Sequence, residues 1–215
     1  MKTAIKNIAM KNQRDNLVVS IVSYAHNAYL TEKFFMQGLK ALGIEYADVL
    51  LLGYFSKQPR KSILEGAMRL KEKGLVRFLG ITSHNRKLLP ELHREGIFDV
   101  FHIRYNAANR GAEVDAFPYI TGDNRPGIVS FTATRWRQLL KQKKMPKNER
   151  ALSAVDCYRF VLSNPAVDVC MLGAGSLLQM RENLAALESG PLTEKELSRI
   201  HKIGDYVYQK KPFLF

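Results

Sequence analysis

DVLLLGYFSKQPRKSILEGAMRLKEKGLVRFLGI, residues 48–81, decides how this chain folds. The stretch opens on a nearly continuous apolar run at 48–52 and closes on another at 76–81. Neither alternates polar with apolar positions, so both read as strands buried on two faces. Between them Ile63, Leu64, Ala67, Met68 and Leu70 recur at helical spacing over 61–73. Gly74 follows, where a glycine that ends a helix belongs. Strand, helix and strand at this spacing make a βαβ unit, and such units build parallel sheets with the helices outside.

The same alternation extends in both directions. Further strand-like runs lie at 17–23, 100–105, 127–133 and 167–172, giving six in all. Helical patterns occupy 30–42, 86–95, 151–163, 180–186 and 193–208, and 1–12 is helix-like. Gly43 and Gly96 stand just past helix ends, and Asn164-Pro165 punctuates the chain before the last strand. A (β/α)₈ barrel needs eight strands and typically ~250 residues. With 215 residues and six strands, the expectation is an α/β fold of the TIM-barrel type, incomplete by about two N-terminal units and ending in extra C-terminal helices. It is read as one truncated domain over 1–215. A doubly wound sheet is the alternative, but no G-x-G-x-x-G follows any strand.

Composition narrows the class. Hydrophobic residues make up 46% and charged residues 25%, an ordinary globular balance. No apolar run approaches a membrane span, and the N-terminus lacks an apolar signal core, so a cytoplasmic protein without membrane partners is expected. Cys157 and Cys170 have no metal-ligand spacing, and the five histidines do not cluster; no metal site is expected. The outlier is charge: 33 Lys and Arg against 20 Asp and Glu give +13. Such an excess favours anionic partners. Its densest part, 135–150, packs Arg135, Trp136, Arg137, Lys141, Lys143, Lys144, Lys147 and Arg150. That run reads as a solvated loop or as a lid over a phosphate-bearing cofactor. Nucleic acid is not expected, because no known binding module accompanies it.

In parallel α/β folds chemistry gathers at the C-terminal strand ends. Those positions hold Ser23, Tyr24 and His26, then Gly53 and Tyr54, then Thr82, Ser83 and His84. Later strands offer His102, Arg104 and Asn106, then Thr132, Arg135 and Trp136. The last runs into Gly173-Ala174-Gly175-Ser176 and a helix. A small-residue turn opening a helix exposes backbone N–H groups to an anion. Ser176 reads equally as a phosphate ligand or as a plain N-cap.

Several segments together resemble the aldo-keto reductase family. GLKALGIEYADVLLL (38–52) and LKEKGLVRFLGITSHN (70–85) are similar to its helix–strand units. HIRYNAANRGAE (102–113), GIVSFTATRWRQLL (127–140) and GAGSLLQMRENLAAL (173–187) resemble its later strand ends. Order and spacing agree over about residues 1–205. The resemblance implies a (β/α)₈ barrel that uses NADP(H) to reduce aldehydes or ketones. It implies Phe131 stacked on the nicotinamide beside Thr132, with Thr82, Ser83 and His102 at the carboxamide; His102 replaces the usual Gln. Ser176, Gln179 and Asn183 would approach the adenosine phosphate and adenine.

The departures fall on catalysis. The family's Asp and Tyr belong to a strand and loop that this sequence does not match. Its Lys should end the run 17–23, near Val22, yet no lysine lies between Asn12 and Glu32. Gly53 stands where its His is expected. A missing general acid commonly lowers rate by ~10²–10⁴. Tyr24, Tyr54 and His84 are the available substitutes. Two functions are therefore expected: an oxidoreductase with altered chemistry, or a catalytically inactive nucleotide-binding or interaction protein. Open strand edges further imply self-association.

Overall fold

β2 (Ala47–Leu52) is buried at all six positions, as its unbroken apolar run requires. It pairs in parallel with β1 (Ser20–Ser23) on one side and β3 (Val76–Thr82) on the other. Val22, Leu51 and Gly80 stand abreast, as do Ser20, Val49 and Phe78. The structure, a computed structural model, describes residues 2–210, which form two compact units divided between Phe101 and His102.

The first unit runs α1 (Lys2–Met10), a 3₁₀ turn at Arg14–Asn16, β1, α2 (Ala28–Leu42), β2, α3 (Lys61–Glu72), β3 and α4 (Leu88–Glu95). β4 (Val100–Arg104) crosses the boundary. The second unit continues with α5 (Ala112–Asp115), β5 (Gly127–Phe131), α6 (Ala154–Leu162), β6 (Val169–Cys170), α7 (Leu177–Glu188) and α8 (Glu194–Gln209). The six strands follow sequence order in one sheet, and β1 is not paired with β6, so the barrel does not close.

Three strands begin with the same device. Asp99 and Asp168 each precede the valine that opens β4 or β6, and Asp48 is the second residue of β2. Each carboxylate accepts the backbone N–H of a residue on the preceding strand segment: Val19 at 2.7 Å, Leu79 at 2.8 Å and Ile128 at 2.6 Å. Each aspartate N–H donates back to the carbonyl of that same residue. A cation neutralises every one: Arg14 and Arg77 on Asp48, Lys71 on Asp99, Arg125 on Asp168. The clamps fix strand register at the end of the sheet opposite the candidate site.

Helix ends follow the expected chemistry. Gly43 and Gly96 close α2 and α4 in the left-handed region at φ 66°. Ser153 with Asp156, and Thr193 with Glu196, form capping boxes at α6 and α8. Four strands are shorter than expected: β4 ends at Arg104 rather than 105, β5 ends at Phe131 rather than 133, and β1 and β6 lose most. β1 begins at Ser20 rather than 17, because Arg14 captures the Leu17 carbonyl at 2.8 Å for the preceding turn. β6 is regular only at 169–170, though Asp168 and Met171 still donate to Ile128 and Ser130. α7 starts at Leu177, three residues before the expected 180, because Ser176 caps it. Met1, part of the expected helix over 1–12, lies outside the described residues.

Candidate functional site

In the first unit, rings lie across the C-terminal ends of β1, β2 and β3. Tyr24 and Tyr54 stack at 5.4 Å between centroids, with planes 11° apart. Tyr54 meets His84 at 5.2 Å and 31°. Gly53 makes room for this row: a Cβ there would overlap the Tyr24 ring, with Cδ1 2.6 Å away. Tyr54 itself sits at φ 56°, a left-handed conformation that costs a bulky residue about 1–2 kcal/mol.

Ser83 is committed to the loops. Its hydroxyl donates to the Phe55 carbonyl at 2.6 Å and accepts the Asn85 N–H at 2.9 Å. Thr82 accepts the Phe55 N–H through its backbone carbonyl, while its side-chain hydroxyl makes no hydrogen bond among the described residues. Thr82 therefore offers an uncommitted hydroxyl and Ser83 does not.

In the second unit, His102 on β4 is 9% exposed and makes no hydrogen bond among the described residues. Burial pushes its pKa down to about 4, so the imidazole is neutral at physiological pH. Asn109 Oδ1, by contrast, is fully buried and has no partner among the described residues. Asn106, fully buried just after β4, is the organiser here; the sequence reading placed it among the strand-end residues but gave it no role. Its Oδ1 accepts the N–H groups of Ala108 and Asn109, and its Nδ2 donates to the Thr132 carbonyl at 2.9 Å. The Asn-Ala-Ala-Asn turn directly after a strand was the available signal.

That hydrogen bond holds β5's end in an unusual shape. Thr132 is at φ 60°, and Arg135, Trp136 and Arg137 follow at 49°, 48° and 65°. A β-branched residue in this region is an outlier. The Thr132 carbonyl also accepts the Arg135 N–H at 2.8 Å, which secures the turn. Arg135 donates to the Val207 carbonyl at 2.7 Å, and Arg104 lies 5.7 Å over the Trp136 ring. Phe131, half-buried, ends β5 just before the turn. The dense basic run thus starts as a pinned, strained turn rather than a free loop.

At the opening of α7 the plain capping role is filled. Ser176 Oγ accepts the Gln179 N–H at 3.2 Å, and Gln179 Oε1 accepts the Gly175 N–H at 2.9 Å. Both side chains are exposed, whereas Asn183 is buried. Among the described residues no cluster of His, Cys, Asp and Glu could hold a metal ion, and no helix is long and apolar enough to cross a membrane.

No protein-family model matches the sequence, and no curated protein matches it. Solved structures do. The holo form of an aldo-keto reductase from Bacillus halodurans superposes with a TM-score of 0.78 at 18% identity, covering 94% of this chain and 77% of that one. An aldo-keto reductase from Klebsiella pneumoniae in complex with NADPH gives 0.76 at 18% identity, over 95% and 75%. A thermostable aldo-keto reductase in complex with the inhibitor epalrestat gives 0.73 at 22% identity, over 94% and 77%.

The chain has the aldo-keto reductase fold.

The resemblance in sequence sets a lysine at the end of β1 and a histidine after β2. The structure has Val22 and Gly53 at those positions. Tyr24 lies over Gly53 so closely that a histidine side chain could not be restored without moving the ring. Of the two positions that the resemblance marks, Gly53 is covered by the Tyr24 ring and Val22 is exposed; Tyr24, Tyr54 and His84 are the titratable side chains stacked beside Gly53. The polar residues that the resemblance implies for a cofactor differ in what they are already bonded to. Thr82 and His102 retain open hydrogen-bonding groups, Ser83 is spent, and Ser176 with Gln179 is engaged at the helix end.

Proposed function

We propose that this chain binds NADP(H) and serves as an aldo-keto-reductase-like oxidoreductase for aldehydes or ketones. The observation that carries the reading is His102. Its imidazole is largely buried, is held neutral by that burial and makes no hydrogen bond among the described residues, which leaves one ring nitrogen as donor and the other as acceptor for a ligand. A cofactor carboxamide offers both donor and acceptor, and Thr82 offers a second open hydroxyl. Phe131 and Thr132 are proposed for the nicotinamide ring; Ser83, through its backbone, for the carboxamide; Ser176, Gln179 and Asn183 for the adenosine end. The formal charge of +13 favours the 2′-phosphate form. Supporting this, the similar Klebsiella pneumoniae protein was crystallised with NADPH.

The bound nicotinamide would supply the hydride to a carbonyl carbon. The protein's part is to deliver a proton to the carbonyl oxygen, and Tyr54 and His84, in ring contact, are the proposed donors. A second reading, nucleotide binding without turnover, is favoured by the Tyr24 ring filling the space above Gly53. We also propose that the chain self-associates through the open edges of β1 and β6.

The test is a fluorescence titration with NADPH and with NADH, followed by a carbonyl screen. Saturation with NADPH preferred is expected. His102→Gln, which keeps a donor and an acceptor, should retain binding, and His102→Leu should weaken it about tenfold, the worth of one hydrogen bond. Absence of saturation at millimolar cofactor would overturn the proposal. Saturation without turnover on any carbonyl would select the second reading.

A further inference from the structure

α7 follows β6 and α2 follows β1, the two strands with an unpaired side, and the two helices carry apolar faces of opposite charge. We infer that copies of this chain dock head to tail, with the outer face of α7 in one copy seated against α2 and β1 of the next. Such docking presupposes the self-association proposed above and gives it a surface and a polarity.

α7 packs against α6 and buries Asn183 and Ala186, yet it leaves its larger apolar side chains outside. Leu177, Met180, Leu184 and Leu187 recur at i, i+3, i+7 and i+10, which is one stripe of a helix. All four are exposed, and Leu177 and Leu187 are 68% and 69% open. A surface helix ordinarily turns such a stripe to the core. Val169 on β6 and Met171 just after it are exposed as well. Apolar surface left open in this way marks an interaction face.

Charge decides what the stripe receives. No lysine occurs from Asn148 to Glu194, although the whole chain carries +13. Lysine is depleted at protein interfaces. Residues 168–194 hold Arg181 alone against Asp168, Glu182, Glu188 and Glu194. Glu182 and Glu188, both on α7, make no ion pair among the described residues. An anionic membrane or nucleic acid would be repelled there.

Residues 2–42 reverse the sign. Lys2, Lys6, Lys11, Arg14, Lys33 and Lys40 stand against Asp15 and Glu32. Glu32 pairs with Arg69 of α3 and with Lys73 just after it, which fixes the flank of α2 that faces α3. Phe34 comes about 200° further round the helix, on the opposite flank, and is exposed. Val18 before β1 and Val22 on β1 are exposed too. An acidic apolar face and a basic apolar face attract each other, whereas two copies of either one repel. The contact is therefore heterologous, α7 to α2, and not α7 to α7.

Sedimentation velocity of the full chain at micromolar concentration tests this with two variants. Leu184→Lys spoils the α7 face, and Phe34→Glu spoils the α2 face. Each alone is expected as a monomer of 24.5 kDa. Mixed in equal amounts, they are expected to form a two-chain species, because each keeps the face that the other lacks. In the parent, Glu182→Lys combined with Glu188→Lys should weaken association about fivefold, the worth of two exposed ion pairs. Thermal melts would show that each fold is kept, and Leu187→Gln or Phe34→Gln replaces a variant that melts early. A mixture that stays monomeric would overturn the head-to-tail docking. So would Phe34→Glu pairing alone as the parent does, or glutamate variants that associate unchanged. A parent that associates while all variants follow it would leave self-association standing and overturn only this surface; a monomeric parent would overturn both.

Discussion

His102 is the residue on which the chemistry turns, and its protonation can be followed directly. An ordinary imidazole titrates near 6.5, and burial holds this one at about 4. Below pH 6.5 the unfolded chain gains a proton there that the folded chain refuses until about pH 4. The contribution of the neutral imidazole to stability is therefore complete above pH 6.5 and is lost as pH falls from 6.5 to 4. The gap corresponds to about 3 kcal/mol. Denaturant unfolding at pH 7 and pH 4.5 should show the parent losing about 2 kcal/mol more than His102→Gln. Equal losses would mean that the imidazole is solvated in the folded chain. Sequence reading found His102 from its place at a strand end, but not the depth of its burial. Whether a polar group is satisfied depends on neighbours that only packing brings near.

Among the elements, α7 separates two roles that sequence left open for Ser176. The hydroxyl caps the helix, accepting the Gln179 N–H. Aspartate caps about as well as serine, while its charge would repel a phosphate held at the same helix end. Ser176→Asp should melt within a few degrees of the parent yet bind NADPH at least tenfold more weakly. Unchanged NADPH affinity would remove Ser176 from the cofactor site and leave it a cap. The strand-start aspartates carry a lesson at this scale too. The dipeptide Asp-Val occurs at 48–49, 99–100 and 168–169, so the repeat was present in the sequence. Its meaning was not, because each carboxylate binds a strand segment 20 to 40 residues earlier in the chain.

At the scale of the molecule, six strands in sequence order leave β1 and β6 each with one paired side. Unpaired N–H and C=O groups on exposed edges invite pairing with another chain. Apolar side chains at both edges, Val22 on β1 and Val169 on β6, are exposed as well. Light scattering at micromolar concentration should therefore return a mass that is a multiple of 24.5 kDa. A monodisperse monomer would overturn the proposed self-association.

The sequence by itself determined the parallel α/β plan. Its apolar runs, helical spacings and glycine helix ends are local signals, written where they act, and they located all six strands within a few residues. The resemblance spread over five segments likewise fixed the fold. Tertiary structure alone decided what the strand ends offer. Gly53 reads as a lost catalytic residue until the Tyr24 ring is seen above it. Gly204 reads as a weak point in α8, where a glycine costs about 1 kcal/mol, until the helix is seen pressed on the Ala107 carbonyl with no room for a Cβ. Ser83 reads as a ligand until its hydroxyl is found bound to Phe55. In each case the deciding partner lies nearly thirty or more residues away in sequence. Such distant contacts leave no mark on local pattern, because space, charge and hydrogen bonds are shared out only when the chain packs.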